Sequence, residues 1–232
     1  MNRPSLSVPL TRRETVFGLL LLPFYAFFFQ IFAQLLAEFL FRAAFSAAVI
    51  NACYYALNLI AVLFVFRGFL LRNLRTLRAE QLPAAFLAFP VYLLLSTLVS
   101  QLVLRLLPDF QNRNNGAVVS ILDASPILML ALSVIAAPIV EETLFRGLIF
   151  GCIRQRSRFL AYVFSALCFS AIHVVGYLSV LTPAELAASV LQYVPASAVL
   201  CALYEYSDNL IPSVLLHALI NLVACAIGMN AG

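Results

Sequence analysis

The chain has 232 residues, 64% of them hydrophobic and 10% charged, with a mean hydropathy of +1.02. A soluble domain is about 45–50% apolar and about 25% charged, so a water-soluble enzyme is excluded and a polytopic membrane protein is indicated. The net charge of +4 rests on 14 basic residues, all arginine, and most cluster in short stretches between apolar runs, which is the pattern of membrane orientation rather than of a nucleic-acid surface.

The apolar runs are long and continuous, not the alternating segments of a β-barrel. The length allows about seven spans of about 20 residues. The expected fold is therefore all-α, a polytopic membrane helical bundle of about seven transmembrane helices, forming a single domain over 1–232. The polar, basic start MNRPSLSVPLTRRE leads into a first span at about 15–37. That apolar run exceeds the about 7–15 residues of a signal-peptide core, so it stays in the membrane.

A second span is expected at about 43–66, followed by RGFLLRNLRTLR over 67–78. The spacing of Arg67, Arg72, Arg75 and Arg78 suits a short amphipathic helix on the membrane surface. A third span covers about 84–107. PDFQNRNNGAVVS then reads as a loop with Asn-Asn-Gly turn chemistry. The fourth span opens at Ser125–Pro126, a cap followed by a proline at the first helical position, and runs to about Cys152. RQRSR forms a tight basic loop over 154–158. Spans five, six and seven fall at about 159–175, 185–204 and 210–228. Pro195 is expected to kink the sixth, and the acidic loop EYSDN separates the last two. The five cysteines, Cys53, Cys152, Cys168, Cys201 and Cys225, contain no C-x-x-C pair and are expected as buried apolar residues, not disulfides.

Arginine counts set the topology. Arg3, Arg12 and Arg13 precede the first span, four arginines lie between spans two and three, and three between four and five. The opposite loops hold Arg42, Arg113 and none. The N-terminus is expected in the cytoplasm and the C-terminus outside. Exclusive use of arginine suggests a GC-rich bacterial genome and hence a bacterial inner membrane. Glu205 and Asp208 leave the loop between spans six and seven without a positive charge, which the rule does not explain.

Few ionisable residues lie deep in the spans: Glu141, Glu142 and Arg146 in the fourth, His173 in the fifth, and His217 in the seventh, with Asn221 beside it. The chain has two histidines, and both belong to this set. Intramembrane ionisable residues usually face the bundle interior and mark function. Glu141 lies 13 residues before Arg154, about 20 Å along a helix, and His173 lies 15 residues beyond Arg158, about 22 Å. His217 and Asn221 sit about 12 and 18 Å beyond Asn209. Three helices thus bring polar groups toward one layer.

Helical phase divides the labour. Glu142 and Arg146 stand at i, i+4 with the acid first, the favourable order. Phe169 and His173 share a face, as do His217 and Asn221. Glu141, about 100° around the helix from Glu142, is left without a local cation and free to take a proton. Pro138 lacks the backbone N–H and should loosen the helix just before the glutamates.

Three chemistries are open to this set. Two histidines and a glutamate could hold zinc with an open position for water, although H-E-x-x-H is absent. Ser170 or Cys168 could serve as a nucleophile near His173, but neither stands one helical turn before it and no G-x-S-x-G is present. Glu141 and His173 could instead activate water directly, with His217 and Asn221 donating to the oxyanion.

The motifs E-E-x-x-x-R (Glu141 to Arg146), F-x-x-x-H (Phe169 to His173) and H-x-x-x-N (His217 to Asn221) resemble, in this order, those of the type II CAAX prenyl endopeptidase and bacteriocin-processing (CPBP, Abi) family. The resemblance covers 125–228 and no motif position departs from it. It implies an intramembrane endopeptidase in which Glu141 and His173 activate water and His217 and Asn221 form the oxyanion hole. The implied substrate is a peptide or protein at the lipid bilayer, and no nucleic acid is involved. The metal-independent glutamate mechanism is expected over the zinc one, hence no cofactor. The alternatives are a non-catalytic membrane partner or bacteriocin self-immunity protein with the same fold, and a small transporter or proton relay.

Overall fold

The computed structural model describes residues 6–41 and 46–231. Arg3 and Arg42, which entered the topology argument, lie outside the described residues. The described residues form helices without strands. Seven helices are long and apolar enough to cross a membrane: α1 (Arg12–Phe41), α2 (Ala47–Thr76), α3 (Ala79–Leu106), α5 (Pro126–Arg154), α6 (Arg158–Tyr177), α7 (Pro183–Ser207) and α8 (Leu210–Met229). A further helix, α4 (Arg113–Ala124), precedes α5. The protein is an integral membrane helical bundle, as its composition requires.

Local chemistry starts the helices where the spans were expected. Thr11 and Glu14 form a reciprocal capping box at α1, and Thr182 and Glu185 do so at α7. Each satisfies two amide donors that a helix start leaves unpaired. Ser157 accepts from the amide of Leu160 at α6. Ser125 and Pro126 stand at the expected cap and first helical position of α5, although the serine hydroxyl makes no capping bond. Pro195 lies inside α7 without ending it. The five cysteines are all free.

Two expectations are corrected. The stretch 67–78 is not a separate surface helix, because α2 continues unbroken to Thr76. Its inner face holds buried Phe69 and Asn73. Asn73 receives the amide of Leu210 on its Oδ1 at 2.8 Å, and its backbone carbonyl accepts from Asn209 at the same distance. Arg72 reaches Glu14 at 2.7 Å. These inward bonds keep the basic stretch upright. The Asn-Asn-Gly run is likewise not a turn but the first turn of α4. Asn112 is its N-cap, with its side chain accepting the amide of Asn115 at 3.1 Å. Asparagine serves caps as readily as turns, and the apolar face of Val118, Ile121 and Leu122 packs on Met129 and Cys225.

The basic stretches gather at one end of the bundle. The expected loop EYSDN is in fact the last turn of α7 through Ser207, and its Glu205 joins Arg154 at 2.7 Å and Arg158 at 2.8 Å, which accounts for an acidic residue on the basic side. Ser7 donates its amide to Asp208 at 2.8 Å, and Gln81 donates to the carbonyl of Ser207 at 2.6 Å. Helix α5 is the most enclosed, with 56% of its most apolar stretch buried against 6% for α3. Gly147 permits that enclosure: a Cβ there would lie 2.8 Å from the Phe69 ring, closer than real Cβ contacts come. This central helix carries both glutamates.

Candidate active site

Helix α5 is irregular around the glutamates. Leu132–Ala136 and Thr143–Phe150 are π-helical, and the α-helical turn Ala137–Glu142 lies between them. Such wide turns occur often at functional sites. The first has a local cause. The amide of Ala137 bonds the carbonyl of Leu132, five residues back. In that register the carbonyl of Ser133 faces the nitrogen of Pro138, which has no hydrogen to give. Asn221 of α8 supplies one, its Nδ2 donating to the Ser133 carbonyl at 2.8 Å.

Glu142 is the hub of the charged groups. Its Oε1 lies 2.9 Å from Arg146 Nη1 and 2.8 Å from His217 Nδ1. Glu142 and Arg146 are fully buried and His217 nearly so. A carboxylate paired with a guanidinium accepts hydrogen bonds, so His217 donates from Nδ1 and turns Nε2 toward the site. The expected Glu142–Arg146 pairing is therefore present, and it extends to His217. The guanidinium has a second partner: its Cζ lies 4.4 Å from the centre of the Phe169 ring. That cation–π contact gives the phenylalanine of F-x-x-x-H a physical purpose. Phe169 also packs edge-on against Phe145 and His217, with centroids 5.4 and 5.8 Å apart.

Glu141 points elsewhere. Its Oε2 lies 3.9 Å from His173 Nε2 and 3.8 Å from His217 Nε2, and it has no hydrogen-bond partner among the described residues. Those separations exceed a direct N–H···O bond and suit a shared water or substrate atom. The Nδ1 of His173 lies 2.7 Å from the carbonyl of Phe169. A carbonyl only accepts, so the hydrogen sits on Nδ1 and the Nε2 lone pair faces Glu141.

The structure thus brings Glu141, Glu142, Arg146, His173 and His217 together. Asn221 stands one turn beyond His217 on α8 and gives one amide hydrogen to the Ser133 carbonyl. Zinc would need Glu141, His173 and His217 as ligands. That donor chemistry is of the right kind, but no three His, Cys, Asp or Glu side chains among the described residues are arranged to hold a metal ion, and no step below passes through one. A cleft bounded by Leu6, Gly147, Cys152 and Tyr204 lies elsewhere, toward the N-terminal segment.

Residues 123–223 match the family model described as type II CAAX prenyl endopeptidase Rce1-like. Over that segment the chain is similar to the Rce1-like family. The match spans α5 to α8 with every residue named above, and less than half of the chain. Comparison with curated proteins and with solved structures gives no match. Together with the seven apolar helices, the match makes this a membrane protein with a segment similar to the CAAX proteases.

Sequence reasoning missed the aromatic residues around the candidate site. Tyr193 of α7 stacks on His173 with centroids 4.3 Å apart and planes at 28°. Tyr25 packs on Phe145 with centroids 6.1 Å apart and meets Tyr54 at 6.1 Å, and Tyr54 meets Tyr55 at 5.4 Å. The adjacent Gln192 and Tyr193 in an otherwise apolar span were a signal for the first. The tyrosines of α1 and α2 sit in runs where aromatic residues are common, so nothing singled them out.

Proposed function

We propose that the chain is an intramembrane endopeptidase that hydrolyses a peptide bond with Glu141 as general base. The observation that carries this reading is the triangle of Glu141 Oε2 with the Nε2 atoms of His173 and His217, at 3.9 and 3.8 Å. A water in that triangle donates one hydrogen to Glu141 and the other to the lone pair of His173. Its oxygen then attacks the carbonyl carbon of the substrate peptide. Glu141 takes the proton and passes it to the leaving amine, so water adds across the C–N bond with no net proton change.

The oxyanion needs donors. His217, with Nδ1–H held by Glu142, donates to the oxyanion from Nε2 when that atom also carries a hydrogen. Arg146 balances the remaining negative charge. The other amide hydrogen of Asn221 is the second donor. No metal is required by this scheme, and the mechanism is of the glutamate type.

The substrate is a peptide that reaches the site from the membrane, consistent with a position about 20 Å along α5 from the arginine face. The basic end faces the cytoplasm and the membrane is a bacterial inner membrane. The test is cleavage of a panel of lipid-anchored peptides, prenylated and unprenylated, by the full chain in proteoliposomes, read by mass spectrometry. Products with the wild type and none with Glu141→Ala or His173→Ala are expected. Wild-type rates from both variants would overturn the proposal and favour a non-catalytic membrane partner.

A further inference from the structure

We propose that Tyr193 is a positioning residue for His173, locked in place by the asparagine-rich start of α4. The inference rests on the reading that His173 holds the water. Among the described residues the imidazole makes one hydrogen bond, donated from Nδ1 to the Phe169 carbonyl of its own helix. One bond leaves the ring free to swing about it. Two aromatic neighbours remove that freedom. Phe169 packs on one side at 4.8 Å and 49°, and Tyr193 stacks at 4.3 Å and 28°.

Tyr193 is itself held by more bonds than burial in an apolar span requires. Its hydroxyl accepts from Asn114 Nδ2 at 3.1 Å. Its single hydrogen is shared between Asn112 Oδ1 at 3.3 Å and Asn115 Oδ1 at 3.4 Å. Asn112 also donates to Gln192 at 2.8 Å. Capping α4 needs Asn112 alone. Asn114 and Asn115 are not explained by the cap, and both turn to the tyrosine.

The other end of α4 is fixed to α8. A Cβ on Gly228 would lie 3.1 Å from Val119 and 3.6 Å from Leu122, so the two helices are in close contact. Helix α4 therefore ties α7, behind His173, to α8, which carries His217. It braces the imidazole across the site, although it contributes no group to the chemistry.

The two histidines of the chain make a direct test. The full chain, labelled with 15N-histidine in micelles, gives one ring from His173 and one from His217, assigned with His217→Gln. In the wild type, His173 shows a single tautomer with hydrogen on Nδ1. Tyr193→Phe and Asn114→Ala keep the ring stack but loosen its tether. Each is expected to broaden the His173 signals or average its tautomers, while His217 stays within a linewidth of wild type. Tyr193→Ala should do so more strongly. Where a cleaved peptide is in hand, Tyr193→Ala should lower kcat by roughly 10- to 100-fold, the scale of a misplaced catalytic group. KM should hold within about twofold, and Tyr193→Phe should recover part of the rate. An unchanged His173 ring in all three variants, or equal changes at both histidines, overturns the proposal. The ring signals do not depend on proteolysis, so cleavage surviving in Glu141→Gln would sink the catalytic reading and leave this test intact.

Discussion

The carboxylate of Glu142 holds His217 by Nδ1 at 2.8 Å while it holds Arg146 at 2.9 Å. One anion thus fixes the side chains of two helices at a fully buried point. Two charges in such a place bind each other strongly but lose their hydration, so the pair is not in itself a large source of stability. Its loss is another matter. Glu142→Ala leaves a buried guanidinium without its counter-charge, and removal of one partner of a buried pair costs about 3–5 kcal/mol. The expected result is a large drop in thermal stability in micelles, partly restored in the double variant Glu142→Leu with Arg146→Met. A double variant no more stable than Glu142→Ala would sink this account.

Glu141 has the opposite profile. Its Oε2 has no hydrogen-bond partner to lose, and glutamine matches its shape. Glu141→Gln should unfold at the wild-type temperature within about 2 °C, a surface-like change of well under 1 kcal/mol. Its cleavage rate should fall by about 10²–10⁴, the contribution of a positioned general base. Stability and rate separate in this variant and fall together in Glu142→Ala, which distinguishes the two adjacent glutamates by experiment.

Pro138 and Asn221 should be energetically coupled. Asn221→Ala removes the donor to the Ser133 carbonyl and leaves a buried acceptor unpaired, at about 1–3 kcal/mol. Adding Pro138→Ala restores a backbone N–H at the position that lacked one. The double variant should therefore recover stability that neither single change predicts, a coupling in the range of about 0.5–3 kcal/mol. Simple additivity in the denaturation data would show that the two residues act independently. The rate of the double variant should stay low, because the amide hydrogen proposed for the oxyanion is still missing.

Chelation addresses the zinc alternative. Prolonged treatment with EDTA and 1,10-phenanthroline, followed by metal analysis of the treated protein, should leave the cleavage rate unchanged under the glutamate mechanism. Loss of activity with stoichiometric return on adding zinc would assign Glu141, His173 and His217 to a metal.

Gly147 lies beside Arg146 in sequence and under Phe69 in space. Gly147→Ala forces a methyl group to within 2.8 Å of that ring, and overpacking of this kind costs about 1–3 kcal/mol. Phe69→Leu in the same chain should relieve part of it. A fully stable Gly147→Ala would mean that the ring moves aside at no cost.

Much of the site was legible because charge is rare in this chain. Glu142 and Arg146 at i, i+4 predict their own contact, and residue counts from the arginine loops place Glu141 and His173 at one depth. What could not be read are features decided by neighbours. The basic run after Arg67 carries an amphipathic spacing whichever surface it meets, and buried bonds from Asn73 to Leu210 decide that it stays in α2. Asn112 favours a helix cap and a turn by the same side-chain bond, and the apolar face of α4 selects the cap. The attachment of Asn221 to Ser133 depends on a register five residues wide, which no 3.6-residue periodicity displays.

That register has a consequence for chain length. A π-helical turn behaves as one extra residue within an α-helix, and each residue turns the helix by about 100°. Deleting one residue from Leu132–Ala136 would let α5 close as an ordinary helix, with every side chain before it rotated by about 100° relative to the glutamates. The hydrophobic face of 126–131 would then leave Met129 pointing away from Leu122 and Cys225. The site can thus be dismantled by a deletion that touches none of its polar groups, so an alignment gap at this point is a sharper warning of lost function than most substitutions.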